Sequence, residues 1–271
     1  MNDFRTEFLI EPAALEARLA DPDLQIVDVC KAEQYAQAHI PDAVHVHYAQ
    51  LVFSRPPVAG LLPDAAYMSA LFSSLGLRPE ARIVAYDDEG GGHAARLLWS
   101  LAAYGHRRYA LLNGGLHAWA NEGHPLQREP VIPKVSDYRA SGSGQVVAER
   151  DYIEAHLRDN DKRLLDSRTP KEYAGEDKRA ARAGHIPGAV NMDWTQTMDT
   201  RRNLRLKPPE ALLARFKELG VTPEREIITY CQTHHRSAHT WLVLKALGFE
   251  RVRGYPGSWS DWGNQPDTPV E

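Results

Sequence analysis

Cysteine is nearly absent: Cys30 and Cys231 are the two thiols among 271 residues. Two thiols allow one disulfide at most. That is too few for a cross-linked secreted scaffold, and a reducing compartment keeps both free. Long apolar runs are missing too. No stretch of about 18 apolar residues occurs, so no bilayer-spanning helix is expected. The opening "MNDFRTEFLIEPAALEARL" brings acids early and has no apolar signal core, which gives the expectation of a cytoplasmic protein. Surplus charge is small, with 32 basic and 36 acidic side chains and a formal net charge of −4. That balance argues against a general nucleic-acid or acidic-membrane surface. What is present is ordinary globular composition, 43% hydrophobic and 25% charged. Such a chain can form one large domain or two of about 130 residues each.

The chain is written twice. "LQIVDVCKAEQYAQAHIPDAVHV" (24–46) resembles "KRLLDSRTPKEYAGEDKRAARAGHIPGAVNM" (162–192). Asp28 matches Asp166, Tyr35 matches Tyr173, and the two "HIP" triplets align after an insertion of eight residues in the second copy. "LGLRPEARIVAY" (75–86) aligns without gaps on "LGVTPEREIITY" (219–230), and "NGGLHAW" (113–119) matches "PGSWSDW" (256–262). Three blocks in the same order indicate a duplicated domain, and two copies are too few for a solenoid. The join falls in "PVIPKVSDYRASGSGQVVAERD", where prolines give way to Ser, Gly and charge. The expected division is a first domain over 1–135, a linker over 136–147 and a second domain over 148–271.

Each copy alternates strand and helix signals. "LQIVDV" and "RLLD" are short β runs, and "PEARIVAYD" and "PEREIITYC" are β-branched and aromatic runs behind "LG-x-x-P" turns. Helical stretches follow in "HAARLLWSLAAYG" and "SAHTWLVLKALGF". In the second, Trp241, Leu244 and Leu247 share a face, and Gly105 and Gly248 sit where helices end. Thr169 and Pro170 fit an N-cap and the first helical position. The expected class is α/β: two similar domains, each a mainly parallel sheet flanked by helices.

Cys231 follows the "IITY" strand, and a helix is expected to begin near Arg236–Ser237. The segment 231–236 is then a loop between the carboxyl end of a strand and a helix start, where open α/β sheets bind ligands. Backbone N–H groups and the positive helix end favour an anion there, and a thiol should ionise more readily than a free one. Arg236 adds a fixed positive charge, and His234 and His235 add titratable rings. This pattern suits a thiolate attacking a soft centre.

The doubled "D-x-R/C…GHIPGAV" pattern, the loop cysteine and the "GG/GSW…W" tail resemble the rhodanese family over the whole chain. It is similar to the tandem-domain thiosulfate sulfurtransferases, with a close match to the bacterial type with a "CQTHHR" loop. The resemblance implies that Cys231 takes the outer sulfur of thiosulfate as a persulfide and passes it to cyanide or another thiophile. It implies no cofactor beyond that covalent intermediate. The binding loop would be Gln232, Thr233, His234, His235, Arg236 and Ser237, with Trp194 and Arg168 as candidate pocket residues. Asp87 stands where Cys231 stands, in an acidic loop one residue longer, "DDEGGGHAAR". An aspartate cannot carry sulfane sulfur, so the first domain is expected to be inactive and to shape and cover the cleft. The loop lacks the "RK" pair of the mammalian "CRKGVT" pattern and the "GS" pair of the mercaptopyruvate "CGSGVT" pattern, leaving a different donor or acceptor open. A protein sulfur acceptor is one candidate partner. A monomer is expected, because a duplicated chain can satisfy each domain's interface internally.

The same residues allow other readings. Cys231 could be a buried filler. Cys231, His234, His235 and His239 could ligate a metal, but they crowd one short span with no second ligand group evident, so no metal is assigned. A cysteine-dependent phosphatase also joins Cys, an amide loop and Arg, but with one more residue between them than the four found here. Cys30 reads as a packed structural thiol. Asp28 and Asp166 read as turn caps, Arg168 as an internal ion-pair partner, His185 as a hydrogen-bonded turn residue, and Trp119 and Trp262 as matched core aromatics. "RRNLRLK" (201–207) reads as a solvated loop.

Overall fold

The computed structural model describes residues 3–142 and 145–271. The first half holds five parallel strands in the order Leu9–Ile10, Tyr109–Leu112, Arg82–Tyr86, Leu24–Asp28 and Val44–His45. The second half repeats the plan with four, in the order Val252–Gly254, Glu226–Tyr230, Lys162–Asp166 and Val190–Asn191. Where the first sheet has its edge strand Leu9–Ile10, the described residues of the second half supply a single parallel bridge, Val147 to Gly254. The expected class of two parallel sheets flanked by helices is therefore the observed one.

The strand residues explain the parallel arrangement. Ile83, Val84, Ala85, Ile227, Ile228 and Tyr230 are buried, as strands covered on both faces require. Between the sheets run the helices Gly92–Ala103 and Arg236–Ala246. Both are buried nearly all round, because each lies on its own sheet and packs into one core spanning both halves. Trp99 and Trp241 sit in that core fully buried, and each indole N–H finds a carbonyl, on Val146 and Val252 at 3.1 Å. Gly105 (φ 85°) and Gly248 (φ 95°) end the two helices in the left-handed conformation. Two further cores flank the outer faces, one around Trp119 and one around Trp262. These matched indoles donate to Pro125 and Pro269 carbonyls, both at 2.7 Å.

Two antiparallel hairpins tie the halves reciprocally. The hairpin Phe53–Arg55/Val58–Leu61 of the first half reaches the second half, where the Ala59 amide donates to Ser260 Oγ at 2.7 Å. The hairpin Met198–Asp199/Arg205–Leu206 of the second half reaches back, where the Leu206 amide donates to Asn113 Oδ1 at 2.9 Å. Arg205 pairs with Glu11 and Glu122. The basic segment expected as a solvated loop is thus split: Arg201 is exposed, while Arg205 and Leu206 dock on the other half. Around the join, Tyr138 is buried against Phe72 and accepts the Ser73 hydroxyl on its carbonyl at 3.3 Å, while Gly254 donates to the Val146 carbonyl at 2.8 Å. Residues 143 and 144 of the expected linker lie outside the described residues.

Candidate functional site

Cys231 begins the loop between the strand Glu226–Tyr230 and the helix Arg236–Ala246, and its side chain is 1% exposed. Burial alone would raise its pKa. The charge of Arg236, the hydroxyl and amide of Ser237 and the amide of Thr233 outweigh burial and bring the thiol down to about 7. The sulfur is thus enclosed by donors rather than sealed in hydrocarbon. Near neutral pH a large fraction is thiolate, the reactive form.

The loop holds its shape because its outward-facing groups are satisfied elsewhere. Ser258 Oγ accepts the amides of Cys231 (3.2 Å) and His234 (3.1 Å) and donates to the Tyr255 carbonyl at 2.8 Å. The Cys231 and Gln232 carbonyls accept the amides of Trp259 and Ser260, both at 2.9 Å. Ser258 does this from a left-handed backbone (φ 49°) that a serine adopts only under strain. Gly115 occupies the matching place in the first half at φ 53°. The second half thus keeps the strained conformation and uses a side chain that can hold two loop amides.

Arg236 reaches Glu172 through two parallel bonds of 2.7 and 2.8 Å. Glu172 is buried and also accepts the Thr169 amide and hydroxyl. Burial works to raise this carboxyl, but Arg236 and Thr169 overcome it and hold the pKa at about 2. The expected helix start at Thr169–Pro170 is present, and Glu172 completes its capping box. Glu172 was missed from sequence, although "T-P-K-E" carries the capping-box spacing.

The other expected residues scatter. His234 is buried behind the loop at φ 53°, with its Nδ1 2.8 Å from Ser237 Oγ and its ring edge-on to Trp99 at 4.3 Å. Burial, with Arg96 and His235 nearby, keeps it neutral, well below the ordinary histidine range. His235 turns to the first half and bonds Glu89. Gln232 sends its amide to the Arg179 carbonyl at 3.0 Å. Trp194 lies over His235 (5.7 Å) and His239 (5.4 Å). Arg168 is buried in its own domain, bonded to both Asp166 oxygens and the Gly184 carbonyl and stacked over Trp259 at 4.6 Å. The quartet weighed as a metal site diverges, with His234 on Ser237 and His239 on Thr197.

One contributor had no sequence signal in the loop. Arg96, from the buried helix of the first half, is 0% exposed and has no carboxylate partner among the described residues. Its guanidinium donates to the Thr233 and His234 carbonyls at 3.3 Å each, and to Leu61 (3.1 Å) and Leu51 (3.4 Å). By drawing two loop carbonyls outward it helps turn the loop amides inward, and it places a second positive charge near Cys231. Contact at this distance in sequence depends on how the halves dock, which no local pattern records.

The rhodanese-like domain model matches residues 11–122 and 149–265. The thiosulfate sulfurtransferase of Azotobacter vinelandii is 49% identical over 272 residues, covering 100% of both chains. The sulfur carrier protein TtuD of Thermus thermophilus is 32% identical over 278 residues, covering 97% of this chain and 96% of its own. Among solved structures, the anaerobic ergothioneine biosynthesis enzyme from Chlorobium limicola, in complex with trimethyl histidine, superposes with a TM-score of 0.86. It is 19% identical, with 98% of this chain and 70% of that one covered, a likeness of fold. A tandem α/β protein with a loop cysteine at one sheet mouth is the class that fold and site define. The chain belongs to the rhodanese family.

Proposed function

We propose that the protein is a thiosulfate sulfurtransferase of the bacterial type with a Cys-Gln-Thr-His-His-Arg loop, acting through Cys231. The thiolate attacks the outer sulfur of thiosulfate. A sulfur–sulfur bond forms at Cys231, and sulfite leaves with the electron pair of the broken bond. The terminal persulfide sulfur carries negative charge, which in this reading the Thr233 and Ser237 amides and the Ser237 hydroxyl stabilise. Cyanide or another thiophile then attacks that sulfur, and the Cys231 thiolate is restored. Atoms and electrons balance without an external cofactor. The observation carrying this reading is the buried Cys231 at the carboxyl end of its strand, in a loop fixed by Ser258 and Arg96, where neighbouring donors bring the thiol down to about 7 despite burial.

Arg236, held by Glu172, contributes field to the pocket rather than a free hand for the donor. Within this reading the catalytic domain is 148–271, the first domain (1–135) supplies Arg96 and the hairpin over the loop, and 136–147 joins them. Trp194 forms part of the rim, and Arg168 supports the domain from inside. The reading carries with it a cytoplasmic monomer with no metal or nucleic-acid requirement. No helix among the described residues is long and apolar enough to cross a membrane.

The test is thiocyanate formation from thiosulfate and cyanide. The parent should turn over, and Cys231→Ala should not while keeping its unfolding transition. Turnover surviving in Cys231→Ala would refute the assignment. A second reading, a carrier that hands its persulfide to a protein, is favoured by the relative named as a sulfur carrier. It predicts slow cyanide turnover beside rapid loss of the persulfide to an acceptor thiol.

A further inference from the structure

Three side chains converge where the halves meet, beside the cysteine loop. Glu89 and His93 belong to the first half and His235 to the second. Glu89 Oε1 is the shared vertex: it bonds His235 Nε2 and lies 3.6 Å from His93 Nε2. The ligand-type atoms of all three lie within 4.8 Å of one another. The imidazoles stack at 4.8 Å with both Nε2 edges turned to the carboxylate. Tyr48 backs His93 at 4.3 Å, and Trp194 flanks His235 at 5.7 Å. All three side chains keep partial exposure, 21% for His93, 24% for His235 and 32% for Glu89, so an ion can enter from solvent.

Room for the convergence comes from Gly92, at the start of the buried helix. A Cβ there would stand 2.5 Å from His235 Nε2 and 2.7 Å from Glu89 Oε1. Its backbone does not require glycine by φ, since it falls outside the left-handed set. The missing side chain is what lets ring and carboxylate meet.

We propose that Glu89, His93 and His235 form a binding site for one divalent cation of the zinc class, bridging the two halves. Two imidazole nitrogens and one carboxylate oxygen are ligands that zinc and its neighbours prefer, whereas magnesium and calcium prefer all-oxygen sets. Donor atoms of a tetrahedral zinc site lie about 3.3 Å apart, since each is about 2 Å from the metal. The Glu89–His93 separation of 3.6 Å already approaches that spacing. A hydrogen bond joins Glu89 to His235, and the cation takes the place of its proton. The fourth position is left to water or an exogenous ligand. This inference does not depend on the sulfurtransferase reading.

The experiment titrates zinc chloride into the full chain carrying Cys231→Ser, which removes the loop thiol as a rival ligand. A chromogenic zinc chelator serves as competitor. One equivalent should bind, with Glu89→Gln and His93→Gln each weakening affinity by about tenfold or more. Gly92→Ala retains all three ligands and should also weaken binding by obstructing their approach. Cobalt(II) in the Cys231→Ser parent should show visible bands of low-coordinate nitrogen and oxygen ligation. The proposal fails if the Cys231→Ser parent binds no zinc, if the variants bind as tightly as that parent, or if cobalt keeps its hydrated spectrum.

Discussion

The loop after Tyr86 and the loop after Tyr230 hold the same place in two copies of one fold, yet one carries a carboxylate and the other a thiol. In the first, Asp87 accepts the amides of Glu89 (3.0 Å), Gly91 (2.7 Å) and Ala94 (2.9 Å). In the second, the amides of Thr233 and Ser237 act on Cys231. Allowing for the extra residue, Glu89 matches Thr233 and Ala94 matches Ser237. The amide cradle is therefore common to both halves. The first fills it with its own side chain, and the second presents a sulfur there that can receive another. His93 stands where Arg236 stands, so the strong cation belongs to the thiol's loop alone.

The two thiols repeat the contrast. Cys30 occupies the place of Arg168, beside Asp28 rather than a guanidinium partner. Burial and then the charges of Asp28 and its acidic neighbours push Cys30 far above the ordinary thiol range. Asp28 keeps one oxygen unpartnered and is itself raised by burial. Asp166, with Arg168, is fully paired. A buried anion needs donors or a cation, and the halves provide them at different positions.

The comparison is broken most severely at Cys231. Cys231→Ala should lower thiosulfate turnover more than about a thousandfold, whereas Cys30→Ala should keep most of it, both read by thiocyanate formation. Glu172→Gln leaves Arg236 without its carboxylate. It should cost about 3 kcal/mol in denaturant unfolding at neutral pH. In the parent, Glu172's pKa falls from an ordinary 4.5 to about 2, so the pair's stabilisation is complete above 4.5 and is lost as pH falls toward 2. Arg96→Met removes the first half's hold on the Thr233 and His234 carbonyls. It should lower turnover about tenfold, as does loss of a preorganising group, with the unfolding midpoint also reduced. Single-turnover sulfur uptake should rise with pH through about 7, because the thiolate forms above its pKa. A flat profile from 5 to 9 would contradict an ionising nucleophile. The smallest effect belongs to Asp87→Cys: thiosulfate should add no sulfur at that position, because Asp88 and Glu89 remain beside the new thiol.

Much of this was legible in the chain. The repeat pairs Tyr86 with Tyr230, and in the structure their hydroxyls accept the Ile40 and Ile186 amides at 3.0 and 3.2 Å. The "HIP" histidines also match, with His39 and His185 bonded to the Tyr35 and Tyr173 carbonyls at 2.8 and 2.9 Å. Local signals fixed such features because capping, turns and strand ends are decided within a few residues. Arg96, Ser258 and Glu89 stayed hidden as parts of the site for a different reason. Each acts through contacts more than twenty residues away in sequence. Their roles follow from docking of the halves and from one strained serine. The "THHR" histidines misled in the same way: one faces the core and the other faces the first half, and composition does not distinguish them.

The central claim is that the donor-lined loop lets Cys231 hold a transferable sulfur. Intact and peptide mass spectra after exposure to thiosulfate test it directly. The account predicts a gain of about 32 Da, one sulfur, on the peptide holding Cys231, reversed by cyanide. No gain there, or a gain on the Cys30 peptide instead, would contradict it.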